Sequence, residues 1–257
     1  MIYTCYEMMQ DCRAGKPEGW TYFLKQYVPL IRRFVAHYFP GRAADPVITE
    51  LCKPASGLFQ SREPAPERAF VADLRQYVLN AAQADQSSLQ PETTIDTDTL
   101  TVALEPLTLT EKLVIWFETM RYADDDTGRI LRMSPATARK IRDRGADLIR
   151  GHADSWSHTL LADNGLSLGH AATATASDAC PASKVFLDVI DGRATWQGRE
   201  HMSRHVSGCW HCLDHYCRLL EVVDSLRAVQ PLDEAEVGSY QHVLGIQPRQ
   251  RSLWRRG

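Results

Sequence analysis

The sequence predicts an all-α protein, and three observations carry that expectation. Nearly every segment with a clear hydrophobic period has the helical one, strand-like alternation is almost absent, and the periodic segments end at residues that cap or break helices. From Gly19 to Tyr38, the residues Trp20, Phe23, Leu24, Tyr27, Leu30, Ile31, Phe34, Val35 and Tyr38 recur at three- and four-residue steps. Pro40-Gly41 then stops the helix. Between 45 and 54, Pro46 and Pro54 disfavour a continuous helix. A second periodic stretch, 66–84, places Phe70, Leu74, Tyr77 and Val78 on one side. Residues 85–106, rich in Asp, Thr, Ser, Gln and Pro, have no sustained period and read as a linker in which Leu100, Val102 and Leu104 can pack locally.

Helices resume at Thr108. Its hydroxyl and the Glu111 carboxylate have the spacing of a capping box, each able to satisfy a free backbone N–H. Leu109, Leu113, Trp116 or Phe117, and Met120 form the apolar stripe that follows. The run Gly169 to Ser177, small and polar, marks 151–179 as a second linker. A last helical block spans Cys180 to about Val229, and there is no internal repeat.

Composition bounds the function classes. With 257 residues, 44% hydrophobic and 24% charged, the chain has room for two or three small domains with real cores. A net charge of −3 excludes a generic polyanion binder, but the charge is uneven. No Lys or Arg stands between Arg75 and Lys112, whereas Arg139, Lys140, Arg142, Arg144 and Arg150 crowd a short stretch, and the tail carries Arg249, Arg251, Arg255 and Arg256. No apolar run approaches the ~20 residues needed to span a bilayer. The first residues include Glu7 and Asp11 and do not form a signal peptide, so the expected location is the cytoplasm. There is no Gly-rich phosphate loop and no nucleophile motif, and an enzyme is not expected.

Residues 123–150 read as two helices around a tight turn. The first is about Asp124 to Arg132, and the break is Met133-Ser134-Pro135. Ser134 is a natural N-cap and Pro135 a natural first helical residue. The second helix lines up Ala138, Ile141, Gly145 and Leu148 as a buried stripe, with Arg139, Lys140, Arg142 and Arg144 turned away from it. Such a helix fits a DNA major groove, its early residues near base edges and its later cations near phosphates. Ser134, Thr137, Arg139 and Lys140 are the candidates at the base-reading end, Arg142 and Arg144 the candidate phosphate contacts.

The sharpest motif is His205-x3-Cys209-x2-Cys212. At i and i+4, His205 and Cys209 share a helical face, and Cys212 returns to that side after Gly208 loosens the helix. Tetrahedral zinc takes four ligands, and Cys180, before Pro181 at the start of a short helix, is the natural fourth. A Cys₃His set of this kind is closed and structural, with no open position to activate water. His201, His211, His215 and Cys217 stand nearby as alternative or supporting groups. Cys217 is a surplus thiol that either packs with Leu213, Leu220 and Val223 or exchanges with the zinc thiolates.

These segments resemble two known families joined head to tail. Arg13 to Trp20, Tyr27 to Arg33, and Phe70 to Leu74 followed by Asn80 are similar to region 2 of extracytoplasmic-function sigma factors. Leu104-Glu105-Pro106-Leu107, Thr110-Glu111-Lys112 and Met133 to Lys140 look like sigma region 4, with Arg132 where the turn glycine is usual and Thr127-Gly128 in place of a more apolar pair. Cys180-Pro181, Asp191-Gly192 and the His/Cys motif resemble the zinc anti-sigma domain. The resemblance implies a region 2 module over 1–85, an acidic linker over 86–103, a helix-turn-helix module over 104–152, a linker over 153–179, a zinc module over 180–230 and a tail over 231–257. It implies as partners core RNA polymerase and promoter DNA, and a contact of the zinc module with the sigma-like modules.

Overall fold

The computed structural model describes residues 3–53, 56–60, 66–84, 101–102, 104–152, 172 and 175–246. Among these residues it is all helical, with eleven helices and no strand. None of those helices is long and apolar enough to cross a membrane. The chain divides into two compact units, one made of 1–89 with 225–257 and the other of 90–224.

In the first unit, α1 (Cys5–Arg13), α2 (Pro17–Tyr38), α3 (Asp45–Leu51) and α4 (Glu67–Ala84) surround an aromatic core of Phe23, Tyr27, Phe34 and Phe70. Helix α1 starts at Thr4, which forms a full capping box with Glu7. Gly19 lets α2 lie against α1, since a Cβ there would sit 2.6 Å from the Cys12 backbone nitrogen. In α4, Phe70, Leu74 and Val78 are buried as the period predicts, while Tyr77 is only half-buried and Val71 and Leu79 take its place in the core. The prolines expected to disfavour a continuous helix over 45–54 do not prevent one over Asp45–Leu51. Pro46 occupies the first turn of α3, where its missing N–H has no intrahelical partner to lose, and Pro54 lies outside the described residues.

The segment read as a tail holds a further helix, α11 (Glu234–Val243), packed on α2. Its docking follows from Pro29 inside α2. A proline cannot donate to the carbonyl four residues back, so Lys25 O lacks its helical partner. The Leu232 N–H takes that carbonyl at 2.9 Å. Leu232 and Val237 bury, Arg32 pairs with Glu236 at 2.9 Å, and Gln241 donates to Thr21 at 2.7 Å. The Arg-rich residues 247–257 lie outside the described residues.

In the second unit, α5 (Leu109–Thr119), α6 (Asp124–Leu131) and α7 (Pro135–His152) form a compact trio. They are followed by α8 (Ser183–Ile190), α9 (Trp196–Gly208) and α10 (Trp210–Ala228). The Thr108–Glu111 capping box forms as the spacing predicts. Helix α5 is apolar beyond its expected stripe. Leu113, Val114, Ile115, Trp116 and Phe117 are all buried, because the helix is covered on one side by α7 and on another by α9 and α10. Most of the linker 86–103 and of 153–179 lies outside the described residues. Where the second linker ends it is held: Thr175 Oγ1 accepts from the His211 N–H and donates to Ala172 O.

The turn between α6 and α7 depends on two backbone positions. Arg132 caps α6 in the left-handed region at φ 57°, a conformation that costs a residue with a Cβ roughly 1–2 kcal/mol. Gly128 faces the turn so closely that a Cβ would stand 2.8 Å from Met133 O. The two sites are expected to respond oppositely. Arg132→Gly raises stability by up to about 1 kcal/mol, and Gly128→Ala lowers it by about 1–3 kcal/mol. Thermal melts of the two variants against the parent check both signs.

Candidate functional site

The Cys/His motif converges in space. The ligand atoms of Cys180, His205, Cys209 and Cys212 all lie within 4.8 Å of one another, a cluster able to hold a metal ion. Three local features build it. His205 projects from the last turn of α9, whose start is set by the Thr195 side chain accepting from the Gly198 N–H. At Cys209 the backbone turns extended, φ −129° and ψ 112°, so α9 ends and α10 begins one residue later. The motif is thus a bent pair of helices rather than one loosened helix. Cys212 sits in the first turn of α10. Cys180 comes from a turn closed by its own N–H on Ser177 O at 3.0 Å, just before Pro181.

Two of the four thiol and imidazole donors are pushed in opposite directions. The Ser177 N–H donates to Cys180 Sγ at 3.4 Å, and this bond, opposed by burial, holds the Cys180 thiol down to about 6. Burial pushes the Cys212 thiol up. Cys180 Sγ and Cys209 Sγ stand 3.8 Å apart, and His205 Nε2 is 3.2 Å from Cys212 Sγ. No cysteine of the chain is in a disulfide. The alternative ligands lie elsewhere. His215 Nε2 is 3.0 Å from Ser183 Oγ, its ring stacks on His211, and burial pushes its pKa down to about 4. His201 is exposed, and Cys217 is fully buried in the face of α10 that holds Leu213 and Val223.

Residues flanking the Cys/His cluster pack on α5. Lys112 Nζ donates to Ser207 O at 2.6 Å, and the same ammonium lies 5.6 Å from the Trp210 ring centre. Trp210 stacks on Trp116 at 6.2 Å, and Trp116 Nε1 donates to Asp214 at 3.1 Å. Farther along α10, the buried Glu221 accepts from Tyr122 at 2.6 Å, and Asp224 pairs with Arg129. Burial pushes Lys112 below the usual lysine range. The sequence pattern showed which residues of α5 were apolar. It did not show that Lys112, Asp214 and Glu221 would be buried as polar partners.

The second candidate surface is α7. Ser134 caps it, its Oγ accepting from the Thr137 N–H at 3.1 Å. Ala138 and Gly145 bury as read, joined by Ala146 and Ile149, while Ile141 and Leu148 are half-buried. Ser134, Thr137, Arg139, Lys140 and Arg144 are exposed. Three of the four basic residues here are engaged by acids. Arg139 Nε reaches Asp124 at 2.9 Å, and Arg144 reaches Glu111 at 3.1 Å. Arg142 has all three nitrogens bonded, one to Asp124 and two to Asp143. Asp143 lies on α7 and is visible to charge counting along it, whereas Asp124 of α6 and Glu111 of α5 are not.

No protein-family model, curated protein or solved structure matches the chain.

The cluster is expected to bind one metal ion per chain, with Cys209→Ser lowering the stoichiometry. Chelation should also weaken the near-ultraviolet circular dichroism of the stacked Trp116 and Trp210, because the bend at Cys209 fixes both the ligands and Trp210. Metal analysis with parallel spectra checks this; an unchanged aromatic signal after complete metal removal would contradict it.

Proposed function

We propose that the chain is a sigma-like transcription initiation factor that binds core RNA polymerase and promoter DNA and is restrained or tuned by its own zinc-binding module. The observation carrying this reading is the tight α6–α7 turn. Capped by Arg132 and Ser134, it presents Thr137, Arg139 and Lys140 on the exposed early turns of α7. A helix so presented suits the major groove.

Zinc is the metal this reading assigns to the Cys₃His cluster. Two thiolates held at ~2.3 Å by a tetrahedral zinc stand roughly 3.8 Å apart, and the Cys180–Cys209 separation is 3.8 Å. With four protein ligands the site has no open position. The zinc would hold α9, α10 and the Cys180 turn together, and its role would be structural. The contacts of Lys112, Trp116 and Tyr122 with α9 and α10 support a regulatory module packed on the helix-turn-helix.

A second reading is a protein-interaction regulator with little DNA binding of its own. The pairing of Arg139, Arg142 and Arg144 with acids favours it, since phosphates must compete with carboxylates already in place. Exposed pairs of this kind contribute only about 0–1 kcal/mol, so the competition at Arg139 and Arg144 is not prohibitive.

The test is transcription by zinc-loaded protein with core polymerase on a promoter library. Selective initiation is expected, and it should be abolished in Arg139→Glu combined with Lys140→Glu. Initiation surviving that double change removes the DNA-reading role of α7. No association with core polymerase moves the assignment to the interaction regulator.

A further inference from the structure

We infer that Asp124 is a positioning residue that aligns Arg139 to read a guanine in duplex DNA, an inference that rests on the DNA-binding reading above. Asp124 stands at the start of α6, in the turn of helix that faces α7. Its carboxylate is only 14% exposed and each oxygen takes one arginine of α7. One oxygen accepts from Arg139 Nε at 2.9 Å, and the other accepts from Arg142 Nη1 at 2.7 Å. Asp124 is therefore a bridge between two cations, not a surface acid beside one.

What matters is which nitrogen of Arg139 is taken. Its side chain is 63% exposed, and only Nε is engaged. The two terminal nitrogens make no hydrogen bond among the described residues. A guanidinium reads a guanine with a pair of parallel N–H donors to O6 and N7. Fixing Nε removes torsional freedom from a side chain that otherwise loses about 2 kcal/mol of rotamer entropy when it is ordered. The terminal pair is left free on the outer side of the fork. The planar group thus stays available for a two-point contact, and its plane is set before DNA arrives.

Arg142 behaves differently, and the contrast sharpens the assignment. With Nη1 on Asp124 and both Nε and Nη2 on Asp143, each of its nitrogens already faces a carboxylate, and it serves as a strut that holds Asp124 in place. Lys140 is exposed but has no planar fork, so it contributes charge rather than a two-point contact. Arg144 also has its Nε beside a buried carboxylate, Glu111, but lies more than a turn farther along α7, so Arg139 is the arginine at the base-reading end whose geometry selects a base.

The experiment is selection of binding sites from a randomised duplex library by the full, metal-loaded chain, followed by sequencing. The parent protein, Asp124→Asn, Asp124→Glu, Arg139→Lys and Arg139→Ala are run side by side, with a thermal melt for each. The parent is expected to select a guanine at one position. Arg139→Ala and Arg139→Lys should each lose that one preference, by about tenfold or more. Asp124→Asn should weaken the same preference and leave the other positions of the site as they are, and Asp124→Glu should restore part of it. A parent with no sequence preference overturns the DNA reading and this inference with it. A parent whose guanine preference depends on Arg139 but persists in Asp124→Asn overturns the positioning role alone. So does a uniform gain in affinity at every sequence, which would make Asp124 a mere competitor of phosphate. Should Asp124→Asn fail to fold, Arg139→Lys decides: a guanine preference that survives the loss of the planar fork overturns the inference.

Discussion

A single bend in the chain, where α9 ends at Gly208 and α10 begins at Trp210, sets much of the second unit. At this bend Cys209 leaves helical geometry. His205 and Cys212 then come from two different helices and still meet, with His205 Nε2 3.2 Å from Cys212 Sγ. The same bend frees Ser207 O from its helix so that Lys112 can bond it, and it turns Trp210 onto Trp116. A straight helix would place the three ligands on one face but would keep Ser207 O within the helical ladder. The Cys/His cluster and the contact with α5 are therefore two consequences of one local backbone choice.

That contact is unusually polar for a packed seam. Asp214, Glu221 and Lys112 are each under a tenth exposed, and each has a partner on the facing element. Buried charges are tolerated when hydrogen-bonded, and their geometry is demanding. Removing Trp116 Nε1 or the Tyr122 hydroxyl leaves a buried carboxylate short of a donor, with a cost of about 1–3 kcal/mol. An apolar seam would slide with little loss, whereas this one holds one register between α5 and α10. The polar pairs thus fix how the Cys/His module sits on its neighbour, while Trp116, Phe117 and Trp210 supply the apolar area.

Much of this was legible in the sequence where the signal is local. Helix α2 follows from its period, α5 from the Thr108–Glu111 capping box, and the α6–α7 turn from Ser134-Pro135. Three candidate metal ligands follow from spacing and Cys180 from the need for a fourth, and the structure brings those four together. What escaped was non-local. Helix α11 is short, and six of its ten residues are exposed; it docks through distant contacts, among them the Lys25 carbonyl freed by Pro29, that no local pattern reveals. Helix α3 looked broken because its prolines were judged as interior residues when Pro46 lies in its first turn. The acids that engage the α7 cations are 15 and 18 residues away in the case of Asp124. Side-chain charge along one helix carries no information about them.

Helix α5 joins the two candidate sites without belonging to either. On one side, a Cβ at Gly145 of α7 would lie 3.1 Å from the Ile115 side chain, so α7 is pressed against α5 to the limit of contact. Arg144 of α7 also pairs with Glu111 in the α5 cap. On the other side Lys112 and Trp116 hold α9 and α10. A helix buried on both sides is destabilised when one covering layer is lost, because the apolar residues on that side would then face water. A metal that binds only the folded module stabilises it by mass action. Through α5, that stabilisation would extend to α7, which contributes no candidate ligand, by shared burial alone and with no moving part between the two.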